Sequence, residues 1–345
     1  MKFAAIITGA TVGAASMLWA ASPPASADSG RHDDGPGSAP RVHVLNDDAL
    51  DGLGSGSTVG PDGALYVTNG KQGTLLRIHP STGVATVVGT GLPPAVVEIG
   101  GAMDVAFLHG RAYVLVSLAG ADLGVTGTPM GLYVLVDDGR FSPFADIGAF
   151  AAANPPADPD VFLTEGVQYA VDVWRDGFLV TDGHHGRVYR ISRSGDVSEF
   201  LTFPSTDTVL TGIETSKGDV LLATPGPIPH DPAASSVLEV RRGRTEVIAG
   251  WADDYQGDAG LLVDVEYGRR GELYGLLQGH WDLDPVPDNE GFPAAHDTGE
   301  LVRVRRDGTF ETVLAGLDQP TSLDFIGKSA YVVTLNGGIL RVDGL

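Results

Sequence analysis

The sequence predicts an all-β fold of six four-stranded units closed into a ring. Three observations predict it. Short runs alternate apolar and polar residues with period two. Turns rich in Gly, Asp, Ser and Pro separate them, in a chain with 48 Gly and 22 Pro. The four-run unit then recurs along the chain, with one run spare at its start and one missing at its end.

The spare run is Arg41–Leu45, which has no partner in its own neighbourhood. The first full unit is Gly56–Val59, the turn Gly60-Pro-Asp-Gly63, Ala64–Thr68, Thr74–Ile78 and Val84–Gly89. The second is Ala102–Leu108, Ala112–Leu118, a long loop Ala119–Met130, Gly131–Val136 and Arg140–Ala145. The linker after it, Asp146–Asp160, predicts one helical turn at Phe150–Ala153. The third, Val167–Phe200, is the clearest: Val167–Val173, Phe178–Thr181, the loop Asp182-Gly-His-His-Gly186, Arg187–Ser192 and a run from Val197. The fourth is Leu210–Thr215, Asp219–Thr224, Ser236–Val240 and Thr245–Ala249. The fifth is Leu261–Tyr267, Glu272–Leu277, an acidic loop Gln278–Thr298, Glu300–Val304 and Thr309–Leu314. The last has only Thr321–Phe325, Ser329–Thr334 and Ile339–Val342.

This arithmetic describes a six-bladed β-propeller spanning residues 41–345, with Arg41–Leu45 pairing beside Ile339–Val342 to close the ring. Closure removes the free sheet edges that invite aggregation. A β-sandwich explains neither the repeat nor the spare strand.

The chain of 345 residues is 43% hydrophobic, enough for a large core. It has no cysteine, so thiol chemistry, disulfides and Cys-based metal sites are excluded, and packing with sheet closure must hold the fold. The net charge of −22 argues against nucleic acid and anionic lipid as partners and is compatible with cation binding. Met1-Lys2, the apolar stretch Phe3–Ala20 and Ala25-Ser-Ala27 read as a secretory signal peptide over 1–27, which makes the protein exported to the cell envelope or beyond; a retained anchor is the alternative. Residues 28–40 read as a flexible leader.

Name the strands of a unit A to D, with A innermost. The A–B and C–D turns are short, while the B–C and D–A connections hold every long loop. In a propeller these lie on opposite faces, so variable loops gather around one mouth of the central channel. Candidates for a ligand-binding rim there are Asn69, Tyr169, His184, His185, Gln278, His280, Trp281 and Asp282. Asn69 and Asp182 occupy matching positions (YVTN, LVTD) and suit turn capping. His184 and His185 are adjacent and could jointly chelate only from a loop. Gln278–Asp284 (QGHWDLD) mixes His, Trp and carboxylates, which suits a cation or a stacked ring. Asp104, Asp172 and Asp264 sit in A strands beside apolar residues, where a carboxylate either lines the channel or orients strands by hydrogen bonds. Asp104, Glu165, Asp182 and Asp264 form the candidate metal set, with Ca²⁺ or Mg²⁺ as the cofactor that carboxylate oxygens would hold. The sequence has no HExxH, P-loop or GxSxG pattern, and Asp282-Leu-Asp284 lacks the rest of an EF-hand loop.

Three features carry a family resemblance: the blade start Gln168-Tyr-Ala-Val-Asp172, the turn Pro61-Asp-Gly-Ala-Leu-Tyr-Val67 repeated as Asp176–Thr181, and the closing Arg303–Thr309 (RVRRDGT). With their order behind a signal peptide, the chain resembles the ScyD/ScyE family of secreted, NHL-like propellers over residues 41–345. The resemblance implies an exported six-bladed propeller and carries over no catalytic residue. Calcium-dependent lactonases of the gluconolactonase type are broader relatives with an early EGP motif. Here the first blade reads Gly56-Ser-Thr-Val-Gly60, and in the third unit Glu165-Gly166 is followed by Val167 in place of the proline.

Three functions are therefore in view. The first is a secreted scaffold binding a small molecule, glycan or protein through its long-loop face. The second is a Ca²⁺- or Mg²⁺-dependent lactonase- or lyase-like hydrolase. The third is a quinone-dependent sugar oxidoreductase, which would want basic and His groups around the quinone.

Overall fold

The structure is a computed structural model, and it describes residues 39–345 except 53, 98, 158–162, 204–207, 228–230, 253–254, 256 and 282–293. The expected signal peptide, most of the leader and Asp282 lie outside the described residues. The described residues contain no helix long and apolar enough to cross a membrane.

The strands are β1 (Arg41–Asn46), then β2 (Gly54–Val59), β3 (Leu65–Asn69), β4 (Thr74–Ile78) and β5 (Ala85–Gly89) of blade 1. Blade 2 is β6 (Gly101–Leu108), β7 (Arg111–Ser117), β8 (Gly131–Leu135) and β9 (Phe141–Asp146). Blade 3 is β10 (Gln168–Trp174), β11 (Gly177–Asp182), β12 (Arg187–Ile191) and β13 (Val197–Thr202). Blade 4 is β14 (Ile213–Glu214), β15 (Leu221–Thr224), β16 (Ser236–Arg241) and β17 (Arg244–Gly250). Blade 5 is β18 (Gly260–Tyr267), β19 (Leu273–His280), β20 (Gly299–Val304) and β21 (Phe310–Leu317). Blade 6 is β22 (Pro320–Ile326), β23 (Ser329–Thr334) and β24 (Ile339–Asp343).

These form six antiparallel four-stranded sheets, and the sixth is completed by β1. β1 pairs with β24 in the register Arg41↔Asp343 and Val42↔Val342, so the two ends of the domain are held in one sheet. The fold is a six-bladed β-propeller closed by its N-terminal strand. Closure acts as a staple in a chain that has no disulfide.

The alternating pattern gives each blade two apolar faces, and each face packs on the next blade. Six buried clusters result, one per junction: for example Val105, Val114 and Phe141 with Leu75 between blades 1 and 2, and Val180, Tyr189 and Phe178 with Leu115 between blades 2 and 3. No layer runs through the middle, so the axis is left to the inner strands.

Those inner strands are irregular. Register shifts interrupt the A–B pairing at Gly54/Ser57, Ala102/Asp104, Gln168/Val171, Leu262/Asp264 and Pro320/Ser322. Such bulges take backbone N–H groups out of the sheet ladder and leave them needing acceptors.

Two local differences from the sequence reading have simple causes. The helix in the second linker is longer, α1 (Ile147–Ala153), because the Asp146 side chain accepts the Ala149 N–H at 2.9 Å and caps it. Ladder pairing in blade 4 covers only Ile213–Glu214 of the expected Leu210–Thr215. The Thr211 hydroxyl hydrogen-bonds the carbonyls of Ala223 and Leu262 beside it.

Candidate functional site

Along the propeller axis runs a channel of about 560 Å³, walled by the inner strands of all six blades. Towards the long-loop face its wall is uncharged, with Ser55, Ile99, Tyr169, Thr211, Gln278 and Leu335. Deeper, and towards the short A–B turns, it carries six carboxyl groups: Asp104, Asp172, Glu214, Asp264, Glu266 and Asp324. Among the described residues, no Lys, Arg or His lines it.

The carboxyls recur by register. Five inner strands repeat an apolar–acid pair at one position: Met103-Asp104, Val171-Asp172, Ile213-Glu214, Val263-Asp264 and Leu323-Asp324. Blade 1 has Ser57-Thr58 there. Four of the acids tie one blade to the next. Asp104 accepts the N–H of Val105 at 2.8 Å and that of Val171 in blade 3 at 2.7 Å. Asp172 accepts the N–H of Val173 at 2.6 Å, and from blade 4 the N–H and hydroxyl of Thr215 at 2.8 and 2.9 Å. Asp264 accepts the N–H of Val265 at 2.8 Å and that of Leu323 in blade 6 at 2.8 Å. Asp324 accepts the Ser57 hydroxyl of blade 1 at 2.5 Å, while the Ser57 N–H donates to Ser322 Oγ at 3.0 Å. Asp104 and Asp264 thus satisfy N–H groups beside the bulges of blades 3 and 6.

The strands approach closely enough that glycine is required. A Cβ on Gly56 would lie 2.3 Å from Asp104 Oδ1, and one on Gly212 2.8 Å from Asp264 Oδ1.

Glu214 and Glu266 behave differently. Glu214 is 5% exposed, and one of its oxygens accepts the Ser216 N–H of its own turn. Glu266, on the inner strand of blade 5, lines the same channel. Burial, first, and then the charge of Glu214 hold Glu266 well above the usual carboxylate range. Burial likewise pushes Asp172 and Asp324 up to about 6 and Asp264 to about 8, against the lowering effect of their hydrogen-bond donors. Asp104 is raised well above the ordinary value, again by burial first.

Of the candidate metal set, Asp104 and Asp264 share the channel, and Glu165 and Asp182 do not line it. Asp182 is fully buried at the end of β11 as a five-donor hub. Its Oδ1 accepts the N–H groups of Val167, His184 and His185 at 3.1, 3.1 and 2.9 Å. Its Oδ2 accepts Gln168 Nε2 at 3.0 Å and the Tyr189 hydroxyl at 3.2 Å. Glu165 and Asp122 cap each other's backbone, with Asp122 N–H to Glu165 Oε2 at 3.1 Å and Glu165 N–H to Asp122 Oδ2 at 2.7 Å. The four therefore do not fit a Ca²⁺ or Mg²⁺ site, and among the described residues no group of three or more His, Asp or Glu side chains is placed to hold a metal ion.

Of the rim candidates, Tyr169 and Gln278 line the channel. Burial pushes the Tyr169 hydroxyl up to about 12, and Gln278 Oε1 accepts the Ala294 N–H at 3.1 Å. The others shape loops. Asn69 is buried and donates to the Leu50 carbonyl while accepting the Gln72 N–H, each at 2.9 Å. His184 Nε2 accepts the Leu163 N–H at 3.3 Å, and burial holds its ring down to about 4. His185 Nε2 lies 2.9 Å from the Leu163 carbonyl, and its Nδ1 3.7 Å from Asp182 Oδ2. The pair thus clamps the loop at Leu163. His280 holds its own loop through its backbone, with N–H to Thr298 Oγ1 at 2.9 Å and its carbonyl accepting the Ala295 N–H at 3.0 Å. Trp281 is half-buried where that loop leaves the described residues. Glu214, Glu266 and Asp324 were missed by motif reasoning. The signal for Glu214 and Asp324 was the recurring acid at one inner-strand register.

No family model matches the chain, and no curated protein matches it by sequence. Solved structures do share its fold. A virginiamycin B lyase from Staphylococcus aureus is 13% identical with a TM-score of 0.53, covering 89% of this chain and 100% of that one. A gluconolactonase from Xanthomonas campestris is 11% identical with a TM-score of 0.57, covering 88% and 89%. A PQQ-bound aldose sugar dehydrogenase from Streptomyces coelicolor is 14% identical with a TM-score of 0.57, covering 90% and 99%. At these identities the likeness carries the six-bladed propeller fold alone.

Proposed function

We propose that the protein is an exported binding propeller of the ScyD/ScyE type that takes a small polar molecule into its central channel. The observation that carries this reading is the channel itself. Its 560 Å³ falls in the range of small-molecule sites, and its wall mixes apolar side chains with hydroxyl, amide and carboxyl groups. The motifs over residues 41–345 and the composition of residues 1–27 support the family and the export. Filling the channel with Val263→Trp tests the binding reading. Ligands found by thermal-shift screening of the mature protein should lose their effect in this variant. A ligand response that Val263→Trp leaves unchanged removes the channel as the site. Sequencing the N-terminus of the exported protein tests cleavage after Ala27.

One observation favours a second reading, metal-independent acid–base catalysis of the lyase or lactonase kind. Burial holds the Glu266 carboxyl well above the usual range inside a cavity that Glu214 also lines, which suits an acid and a base on one wall. Turnover of gluconolactone in the presence of a chelator, lost in Glu266→Gln, would establish it. A quinone-dependent dehydrogenase has less support, because among the described residues the channel wall offers no cationic side chain for quinone carboxylates.

A further inference from the structure

We propose that a second cavity, between blades 3 and 4 at the short-turn face, binds an organic anion: an oxyanion carried on an apolar ring or chain. The proposal stands apart from the central channel and does not depend on what the channel binds.

Three observations carry it. The first is the cavity and its lining. It holds about 640 Å³, within the range of small-molecule sites. Its apolar wall is the end of the cluster that joins the two blades, with Trp174, Phe200, Val220 and Val240. Its rim carries Arg175, from the turn between β10 and β11, and Arg242, from the turn between β16 and β17. Among the described residues no Asp or Glu lines it. The chain has 44 acidic and 22 basic residues, and its channel wall has the opposite character. Thr215 lines both cavities, and its N–H and hydroxyl are committed to Asp172.

The second is how the arginines are held. The Arg175 guanidinium lies 4.0 Å from the centroid of the Trp174 ring, and the Arg190 guanidinium lies 5.5 Å from it. Phe200 packs edge-on against the same ring, with centroids 5.1 Å apart. Stacking engages the flat face of a guanidinium and leaves its in-plane N–H donors free. Elsewhere Arg77, Arg187, Arg303 and Arg341 pair with carboxylates, and Arg241 takes Glu239. Among the described residues no carboxylate pairs with the side chain of Arg175, Arg190 or Arg242, although Asp176 and Asp219 stand on the neighbouring turns. Unpaired guanidinium forks beside a water-shielded apolar wall suit an oxyanion whose body covers that wall.

The third is the backbone under the rim. Arg175 opens the two-residue turn between the paired Trp174 and Gly177, and Arg242 opens the one between Arg241 and Arg244. Their φ values are 59° and 51°, in the left-handed region where Gly and Asn are usual. A local choice that costs backbone energy is characteristic of positions kept for function.

The test uses the full mature protein at about 0.15 M ionic strength. Calorimetry is run with sodium hydrocinnamate, the neutral hydrocinnamyl alcohol and sodium acetate. Hydrocinnamate should bind one to one, and at least about tenfold more tightly than either the alcohol or acetate. Its affinity should fall at least about tenfold in Arg175→Gln/Arg242→Gln. It should stay within about twofold in Arg269→Gln/Arg270→Gln, which removes the same charge from the neighbouring blade. All four positions are on turns, and melting temperatures matching the unaltered protein show that the fold is kept. The proposal is overturned if hydrocinnamate fails to bind at millimolar concentration, or if the alcohol or acetate matches it. Undiminished affinity in Arg175→Gln/Arg242→Gln also overturns it. Equal losses in the two double variants mean diffuse attraction to the short-turn face, which overturns it as well.

Discussion

The junction between blades 3 and 4 and the junction between blades 4 and 5 place the same kind of residue at the same register, with opposite results. At the first, Asp172 reaches across to the Thr215 N–H and hydroxyl, so its charge is matched by donors of the wall. At the second, Glu214 accepts the Ser216 N–H of its own turn, and the next blade presents another acid, Glu266, on the channel wall. The first carboxyl is a fastening and its loss should loosen the ring. The second does no comparable fastening; Thr211 and Ser235 hold that junction instead, with Thr211 Oγ1 to the Leu262 carbonyl at 3.2 Å and Ser235 Oγ to the Gly260 carbonyl at 2.9 Å. Buried charge without a structural task is what a binding site retains.

The contrast can be broken most directly at its structural side. Asp172→Ala leaves the Thr215 and Val173 N–H groups without their acceptor and should cost about 3 kcal/mol in denaturant unfolding. An undiminished stability would remove the distinction between the two junctions. Gly56→Ala tests the closeness of approach on which the Asp104 fastening depends. Its methyl would sit 2.6 Å from Asp104 Cα and from the Met103 carbonyl, and should cost about 1–3 kcal/mol by the same measurement.

The pH dependence of stability follows from the raised carboxyls, with the sign fixed by proton count. Asp172 and Asp324 hold their protons to about 6 in the folded chain and Asp264 to about 8, against an ordinary value of 3.8. Over that window the folded state binds more protons than the unfolded one, so stability declines as pH rises. Calorimetry from about pH 5 to about pH 9 should show the melting temperature falling by on the order of 5 °C. A melting temperature that rises across this range would contradict the burial of these groups. The smallest effect is expected at the second junction. Glu266→Gln relieves an acid–acid pair and should change stability by less than about 1 kcal/mol, in the stabilising direction, while making the decline with pH shallower. A loss comparable to that of Asp172→Ala would make the pair a fastening after all.

Much of the architecture was legible in the sequence because its cause is local. Period-two alternation fixes which side of a strand is apolar, and turn residues fix where it ends. Thus the spare run at Arg41 and the missing run after Val342 already implied the pairing of β1 with β24. The site was less legible. Asp182 with its neighbouring histidines looked chemical in LVTDGHH, yet three N–H groups of the turn and the linker bind its Oδ1 and make it a hub of the loop. Glu214 and Asp324 looked like ordinary strand acids. Their importance lies in a register that only alignment of the blades on one another exposes.

By itself, then, the sequence determined the blade count, the closure and the face of each strand, since these depend on spacing along the chain. Which carboxyls would be spent on neighbours and which would not was decided by the tertiary structure. Asp172 and Glu214 have similar surroundings in the sequence, and they differ in what the next blade presents: the N–H and hydroxyl of Thr215 to one, a second acid on the channel wall to the other.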